Sequence, residues 1–127
     1  MSPMVFICAA VGAAAWGGAT GAGWAEGVRR APAVPTWGLN QATVARLKTP
    51  FLMVSGEHDK QVEPRRVREL YEDWGGADKV FLDLGCSSHN AMWEKNHTLL
   101  FEASREWLES GTVGGASTGM IHRGVAP

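Results

Sequence analysis

The chain has 127 residues, with twelve basic and thirteen acidic side chains and a formal net charge of −1. This length allows one small domain, and the balanced charge gives no basis for binding nucleic acid or an anionic membrane surface. The two cysteines, Cys8 and Cys86, lie in segments of different character, so we expect no disulfide framework and predict a reduced, cytoplasmic location.

Residues 1–36 form an apolar segment rich in glycine and alanine. The apolar run at residues 4–11 has the length of the central part of a secretory signal peptide. However, no basic residue precedes Arg29, and the run is shorter than the roughly 20 residues of a transmembrane helix. We expect a poorly ordered segment or the remnant of a larger domain, with a signal peptide as the alternative.

The next region begins with a short helix and a buried strand. Asn40 is a suitable N-cap for a helix over residues 41–47, and Pro50 prevents that helix from continuing. Residues 51–55 are an apolar run with a glycine behind it. That pattern is typical of a strand buried on both faces of a parallel sheet.

A second helix and a second strand follow. Pro64, at the favoured first helical position, begins a helix whose apolar residues recur at helical spacing as far as Trp74. Residues 79–84 predict another buried strand, and residues 85–89 predict the loop after it.

The last predicted helix runs from Asn90 or Ala91 to residue 109. Trp93, Leu100 and Trp107 repeat at intervals of seven residues, which indicates one apolar stripe along this helix. The order strand–helix–strand–helix predicts an α/β fold with parallel strands and flanking helices.

Residues 111–127 are rich in glycine, serine, threonine and alanine and have no hydrophobic periodicity. We predict a disordered tail here. The expected organisation is therefore an N-terminal segment at 1–36, an α/β region at 37–110 and the tail at 111–127.

Two polar residues follow the two predicted strands. Asp59 lies shortly after Ser55, and His89 lies shortly after Leu84. Reactive groups gather at the carboxyl ends of parallel strands, so both side chains are predicted to project into one crevice. There a carboxylate can hold an imidazole in one tautomer and stabilise its charged form, as a general base requires. The alternative is that Asp59 only caps its loop and His89 only begins a helix.

The surroundings of both residues resemble the α/β-hydrolase family. Residues 49–59 are similar to the penultimate strand and acid loop of that family, and residues 85–89 are similar to the loop that carries its catalytic histidine. Residues 93–108 resemble the C-terminal helix, and residues 29–48 are loosely similar to the end of a cap. The resemblance covers about residues 37–110.

This resemblance implies Asp59 as the acid of a catalytic triad and His89 as its general base. It also implies the C-terminal β-α-β-α part of an α/β-hydrolase fold. The full-length parent would hydrolyse an ester or a related bond of a small-molecule substrate through a covalent acyl-enzyme, without a cofactor.

The nucleophile of such a triad should precede the acid in the chain. Ser2 and Thr20 do not lie in a Gly-x-Ser-x-Gly context, and Cys8 lacks a glycine two positions later. Residues 115–119 match that pattern, but they follow the histidine and no apolar strand precedes them. The sequence therefore predicts a hydrolase portion without its nucleophile, either a natural truncation or a wrongly assigned start, and inactive alone.

The sequence also raises two other interpretations, a metal site and a docking module. Cys86, His89 and His97, with His58 as a fourth ligand, do not match a known zinc spacing, so no metal site is predicted. The alternative function is a non-catalytic docking module or gene fragment that associates with a complementary chain or with itself through an exposed sheet edge.

Overall fold

The structure is a computed structural model, and it describes residues 5–8 and 40–124. The predictions for residues 1–36 therefore lie outside the described residues, apart from a strand at Val5–Cys8. Among the described residues, no helix is long and apolar enough to cross a membrane.

Within residues 5–8 and 40–124, four parallel strands form a sheet, in the same order as they occur in the chain. They are β1 (Val5–Cys8), β2 (Phe51–Gly56), β3 (Lys79–Leu84) and β4 (Gly119–Arg123). Every residue of β2 is buried, as the apolar run predicts for a central strand. Because all strands are parallel, their carboxyl ends lie at one edge of the sheet.

The described part of the chain also contains the helices α1 (Gln41–Val44), α2 (Pro64–Asp73) and α3 (His97–Ser110). The short helix α1 begins as predicted, with Asn40 Oδ1 accepting a hydrogen bond of 3.0 Å from the Thr43 amide. The prediction of an α/β architecture is confirmed.

Each face of the central strands packs against a different helix. Alternate residues of β2 and β3 point to opposite sides of the sheet. Each of these strands therefore contributes side chains to the two hydrophobic layers, one on either side of the sheet. One layer contains α1 and α2 with Val44, Phe51, Met53, Val62, Val67, Tyr71, Trp74 and Phe81. The other contains α3 with Leu52, Val54, Val80, Leu82, Leu84, Leu100, Ala103, Trp107 and Val113.

The prediction of a disordered tail at residues 111–127 differs from the structure, because part of this segment is strand β4. Ile121 packs against the layer that contains α3. On the same face, Arg123 Nη1 lies 2.9 Å from Glu106 Oε1 of α3. The strand is therefore stabilised on one face by tertiary contacts rather than by a periodic apolar pattern of its own.

The prediction that the last helix begins at Asn90 or Ala91 is wrong, because α3 begins at His97. Residues 90–96 form turns instead, and Trp93 is 80% exposed rather than part of the buried stripe. Leu100 and Trp107 are buried as predicted.

Candidate active site

Asp59 and His89 meet at the carboxyl edge of the sheet. Asp59 Oδ2 lies 3.0 Å from His89 Nδ1, although 30 residues separate them in the chain. The two side chains are only 7% and 17% exposed, respectively. The loops after β2 and β3 thus bring together the carboxylate and the imidazole that the strand ends indicate.

Backbone amides fix the orientation of the Asp59 carboxylate. Its Oδ1 atom accepts hydrogen bonds from the amides of Gln61, at 2.8 Å, and Val62, at 2.9 Å. The Asp59 amide in turn donates to the Gly56 carbonyl at 3.1 Å. With Oδ1 engaged by two donors, Oδ2 is left to face the imidazole.

This arrangement sets the chemistry available to His89. An ionised carboxylate only accepts hydrogen bonds, so its partner Nδ1 carries the proton and neutral Nε2 presents a lone pair. No group within residues 40–124 hydrogen-bonds to Nε2. The imidazole can therefore accept a proton at Nε2 while Asp59 stabilises the resulting positive charge.

The loop after β2, which carries Asp59 (the acid loop), and the loop after β3, which carries His89 (the histidine loop), are bonded directly to each other. The Glu57 amide donates to the Leu84 carbonyl, and the His58 amide donates to the Ser87 carbonyl, both at 2.9 Å. In the opposite direction, the Cys86 amide donates to Glu57 Oε2 at 2.9 Å. These bonds hold the two loops at a constant separation.

Gly56, the last residue of β2, permits this close approach. A Cβ atom at this position would lie 2.5 Å from the Ser88 carbonyl oxygen and 2.7 Å from that of Ser87. Both contacts are with backbone atoms, which cannot rotate away. The absence of a side chain at Gly56 thus allows the histidine loop to pack closely against β2.

Cys86, in the histidine loop, is exposed and has a φ of 53°, in the left-handed region that non-glycine residues seldom adopt. Among the described residues, no three histidine, cysteine, aspartate or glutamate side chains are placed to hold a metal ion together.

A second aspartate–histidine pair lies on the strands themselves, and sequence reasoning did not identify it. His122 Nδ1 of β4 is 3.0 Å from Asp83 Oδ2 of β3, and the side chains are 58% and 30% exposed. These two residues are register partners, so only knowledge of β4 could have revealed the pair. The His122 ring packs over Gly85, where a Cβ would lie 2.9 Å from Nε2.

Ser117 and Cys8 are the sequence candidates for a nucleophile that lie among the described residues. Ser117 lies just before β4, hence at the amino edge of the sheet, whereas Asp59 and His89 lie at the carboxyl edge. Cys8 ends β1 at the carboxyl edge. Ser2 and Thr20 lie outside the described residues.

No family model, curated protein or solved structure matches the chain. The α/β-hydrolase relationship suggested by the sequence of residues 37–110 therefore stays a prediction.

Proposed function

We propose that Asp59 and His89 are the acid and the general base of an α/β-hydrolase-type site that hydrolyses an ester or a related bond of a small molecule. The contact of 3.0 Å between Asp59 Oδ2 and His89 Nδ1, at the carboxyl ends of adjacent parallel strands, is the observation that carries this proposal. A cofactor is not needed for such acyl transfer.

In the proposed reaction, His89 Nε2 removes the proton from an attacking hydroxyl or thiol as this group adds to the substrate carbonyl. Asp59 stabilises the imidazolium that forms, and His89 then returns the proton to the leaving group. A water molecule activated in the same way releases the acyl group from the covalent intermediate.

The nucleophile of this reaction comes from outside residues 40–124. Ser87 Oγ donates to the Gly85 carbonyl at 3.4 Å, and Ser88 Oγ donates to the Glu94 carboxylate, so the two serines nearest to His89 are directed elsewhere. Ser55, at the end of β2, is 3% exposed. No hydroxyl or thiol within residues 40–124 hydrogen-bonds to His89 Nε2, so we expect this part of the chain by itself to have little activity towards unactivated esters.

An activated ester tests the base without the missing nucleophile. The chain should hydrolyse p-nitrophenyl acetate slowly, because neutral imidazole can itself attack an activated carbonyl or activate water. His89→Ala should lower this rate to the residual rate that the other three histidines and the buffer contribute.

His122→Ala is the matched control, since His122 also pairs with an aspartate at 3.0 Å but lies against Gly85. This variant should retain the activity of the wild type. A hydrolysis rate that does not fall in His89→Ala, or that falls equally in His122→Ala, would overturn the proposal.

A second candidate function, a docking module, is favoured by exposed apolar side chains. Phe101 and Leu108, seven residues apart on α3, are 53% and 56% exposed, and Trp93 is 80% exposed. β4 also forms one edge of the sheet, with Met120 49% exposed. Such surfaces are typical of proteins that associate with another chain or with themselves.

Sedimentation velocity distinguishes a self-associating docking module from a monomeric hydrolase fragment. Self-association predicts a sedimentation coefficient that rises with protein concentration and a smaller rise in a Phe101→Ser variant. A coefficient independent of concentration up to the millimolar range would argue against self-association.

A further inference from the structure

The loop before His89, residues 85–88, is held by side chains from the segment that leads into α3. Glu94 Oε2 accepts a hydrogen bond of 2.6 Å from the Ser88 amide, and Glu94 Oε1 accepts one from the Ser88 hydroxyl. A single carboxylate therefore engages both donors of the residue immediately before His89.

Asn96 holds the other end of the same loop. Its Nδ2 atom donates a hydrogen bond of 2.7 Å to the Gly85 carbonyl. The Asn96 side chain is 1% exposed, and its Oδ1 atom has no partner among the described residues. The bond to the Gly85 carbonyl is thus the hydrogen bond that the buried Asn96 side chain makes within the described residues.

The local geometry of Asn96 departs from what its position favours. Asparagine is among the best N-cap residues, and Asn96 occupies the N-cap of α3, yet its side chain forms no capping hydrogen bond. Asn40, at the N-cap of α1, does form one. Such a local conflict is expected where a residue is used for a site rather than for its own helix.

We infer that Glu94 and Asn96 are positioning residues for His89, an inference that rests on the proposed role of His89 as a general base. Asp59 fixes the imidazole ring through Nδ1. Glu94 and Asn96 fix the backbone that carries the ring, at Ser88 and at Gly85.

Both constraints are needed to direct Nε2. A side chain held only at Nδ1 can still pivot with its backbone, and a misplacement of about 1 Å can lower a catalytic rate by about 10²-fold. The clamp formed by Glu94 and Asn96 restricts that freedom, because each end of residues 85–88 is bonded to the same short segment that leads into α3.

The first test measures exchange of the His89 Nδ1 proton with solvent by NMR, together with p-nitrophenyl acetate hydrolysis, in Glu94→Ala. Proton exchange should accelerate and hydrolysis should fall by about 10-fold or more. Glu102→Ala is the matched control, because Glu102 is an exposed acid on α3 outside the loop contacts. It should leave both measurements within about twofold of the wild type.

Ser88→Ala keeps the inference testable if Glu94→Ala does not fold. This change removes only the hydroxyl donor and leaves the Ser88 amide bond to Glu94 in place. Proton exchange at His89 Nδ1 should accelerate by about fivefold, the effect expected for one hydrogen bond. Unchanged exchange and hydrolysis in Ser88→Ala and in folded Glu94→Ala would overturn the inference.

Asn96→Asp provides an independent test. Aspartate keeps the size and the capping ability of asparagine, but its carboxylate cannot donate to the Gly85 carbonyl. Because a buried carboxylate beside a carbonyl oxygen also costs stability, hydrolysis is compared per folded molecule, with the folded fraction taken from circular dichroism, and it should fall. Asn40→Asp, which retains the acceptor for the Thr43 amide, should change neither quantity. Equal hydrolysis in both variants contradicts a positioning role for Asn96.

The measurements also separate failure of this inference from failure of the proposed function. If wild-type His89 shows no protected Nδ1 proton while the Ser88 amide hydrogen is protected, the proposal for Asp59 and His89 is wrong and the clamp on the loop stands. If the Nδ1 proton is protected equally in the wild type and in Glu94→Ala, the inference about Glu94 is wrong and the proposal for His89 stands.

Discussion

His122 and Asp83 repeat, on neighbouring strands, the contact between the two proposed catalytic residues. In each pair a histidine Nδ1 lies 3.0 Å from an aspartate Oδ2. The two pairs differ in how deeply the histidine is buried and in what its ring contacts. The His89 side chain is 17% exposed and lies on a loop, whereas His122 is 58% exposed and its ring packs over Gly85. Distance alone therefore does not identify the general base.

Replacing the two aspartates in turn compares these pairs directly. Asp59→Asn should lower p-nitrophenyl acetate hydrolysis by about 10-fold or more, because the amide cannot stabilise the imidazolium as a carboxylate does. In ¹⁵N-resolved NMR spectra, the His89 ring should lose its preference for the Nδ1-protonated tautomer. Asp83→Asn should leave both observations unchanged, and a comparable loss of activity in both variants would refute the assignment of the acid.

Gly56→Ala should destabilise the protein and disturb the histidine loop together. The added methyl group would meet the Ser88 and Ser87 carbonyl oxygens at 2.5 and 2.7 Å, so the loop must move. We expect the free energy of unfolding to fall by about 1–3 kcal/mol, the usual cost of overpacking, and p-nitrophenyl acetate hydrolysis to fall with it. Urea denaturation provides the first measurement and the ester assay the second.

Ser55→Ala is the matched control for this change, one residue earlier on β2. Its hydroxyl is buried without a hydrogen-bond partner among the described residues, so removing it should cost nothing or stabilise the fold by about 1 kcal/mol. If Gly56→Ala and Ser55→Ala had equal effects, the close approach at Gly56 would not limit the packing of the loop.

The central strands could be predicted from the sequence because each is a compact apolar run. β2 and β3 bury residues on both faces, and a strand buried on both faces requires consecutive apolar side chains that can be recognised in the sequence. β4 could not be predicted in this way, since only one of its faces is covered and its attachment depends on Arg123 and Glu106, which are 17 residues apart. Tertiary contacts of this kind leave no local periodicity.

The site was predictable to a similar extent. Strand ends indicated Asp59 and His89, because parallel strands place their following loops at one edge. The contacts of Glu94 and Asn96 were not predictable, since both residues lie within the helix that the apolar stripe predicts from Asn90 or Ala91 to residue 109. In the structure their side chains bond to the histidine loop, and α3 begins only after Asn96.

The Gly-x-Ser-x-Gly match at residues 115–119 leads to a prediction about covalent labelling. Ser117 precedes β4 and so lies at the edge of the sheet opposite to His89. After treatment with a fluorophosphonate, mass spectrometry should find no adduct on the peptide that contains Ser117. An adduct there that disappears in His89→Ala would show that Ser117 is the nucleophile after all, while an adduct that persists would indicate reactivity unrelated to the proposed base.

The attachment of β4 to α3 should depend on pH in the acidic range. Hydrogen bonds from Arg123 and from the Gly114 amide lower the pKa of Glu106 from 4.5 to about 2. Glu106 therefore stabilises the folded state at neutral pH. This contribution is complete above pH 4.5 and is lost as the pH falls towards 2, because the unfolded chain takes up the proton first.

Urea denaturation of the wild type and of Glu106→Gln measures this contribution. The variant should be less stable at neutral pH, and the difference in the free energy of unfolding should shrink between pH 4.5 and 2. Glu109→Gln, which alters an exposed pair with Arg105, is the matched control and should change stability by less than about 0.5 kcal/mol throughout. A difference between the wild type and Glu106→Gln that stays constant over this range would mean that the charge on Glu106 does not hold β4 against α3.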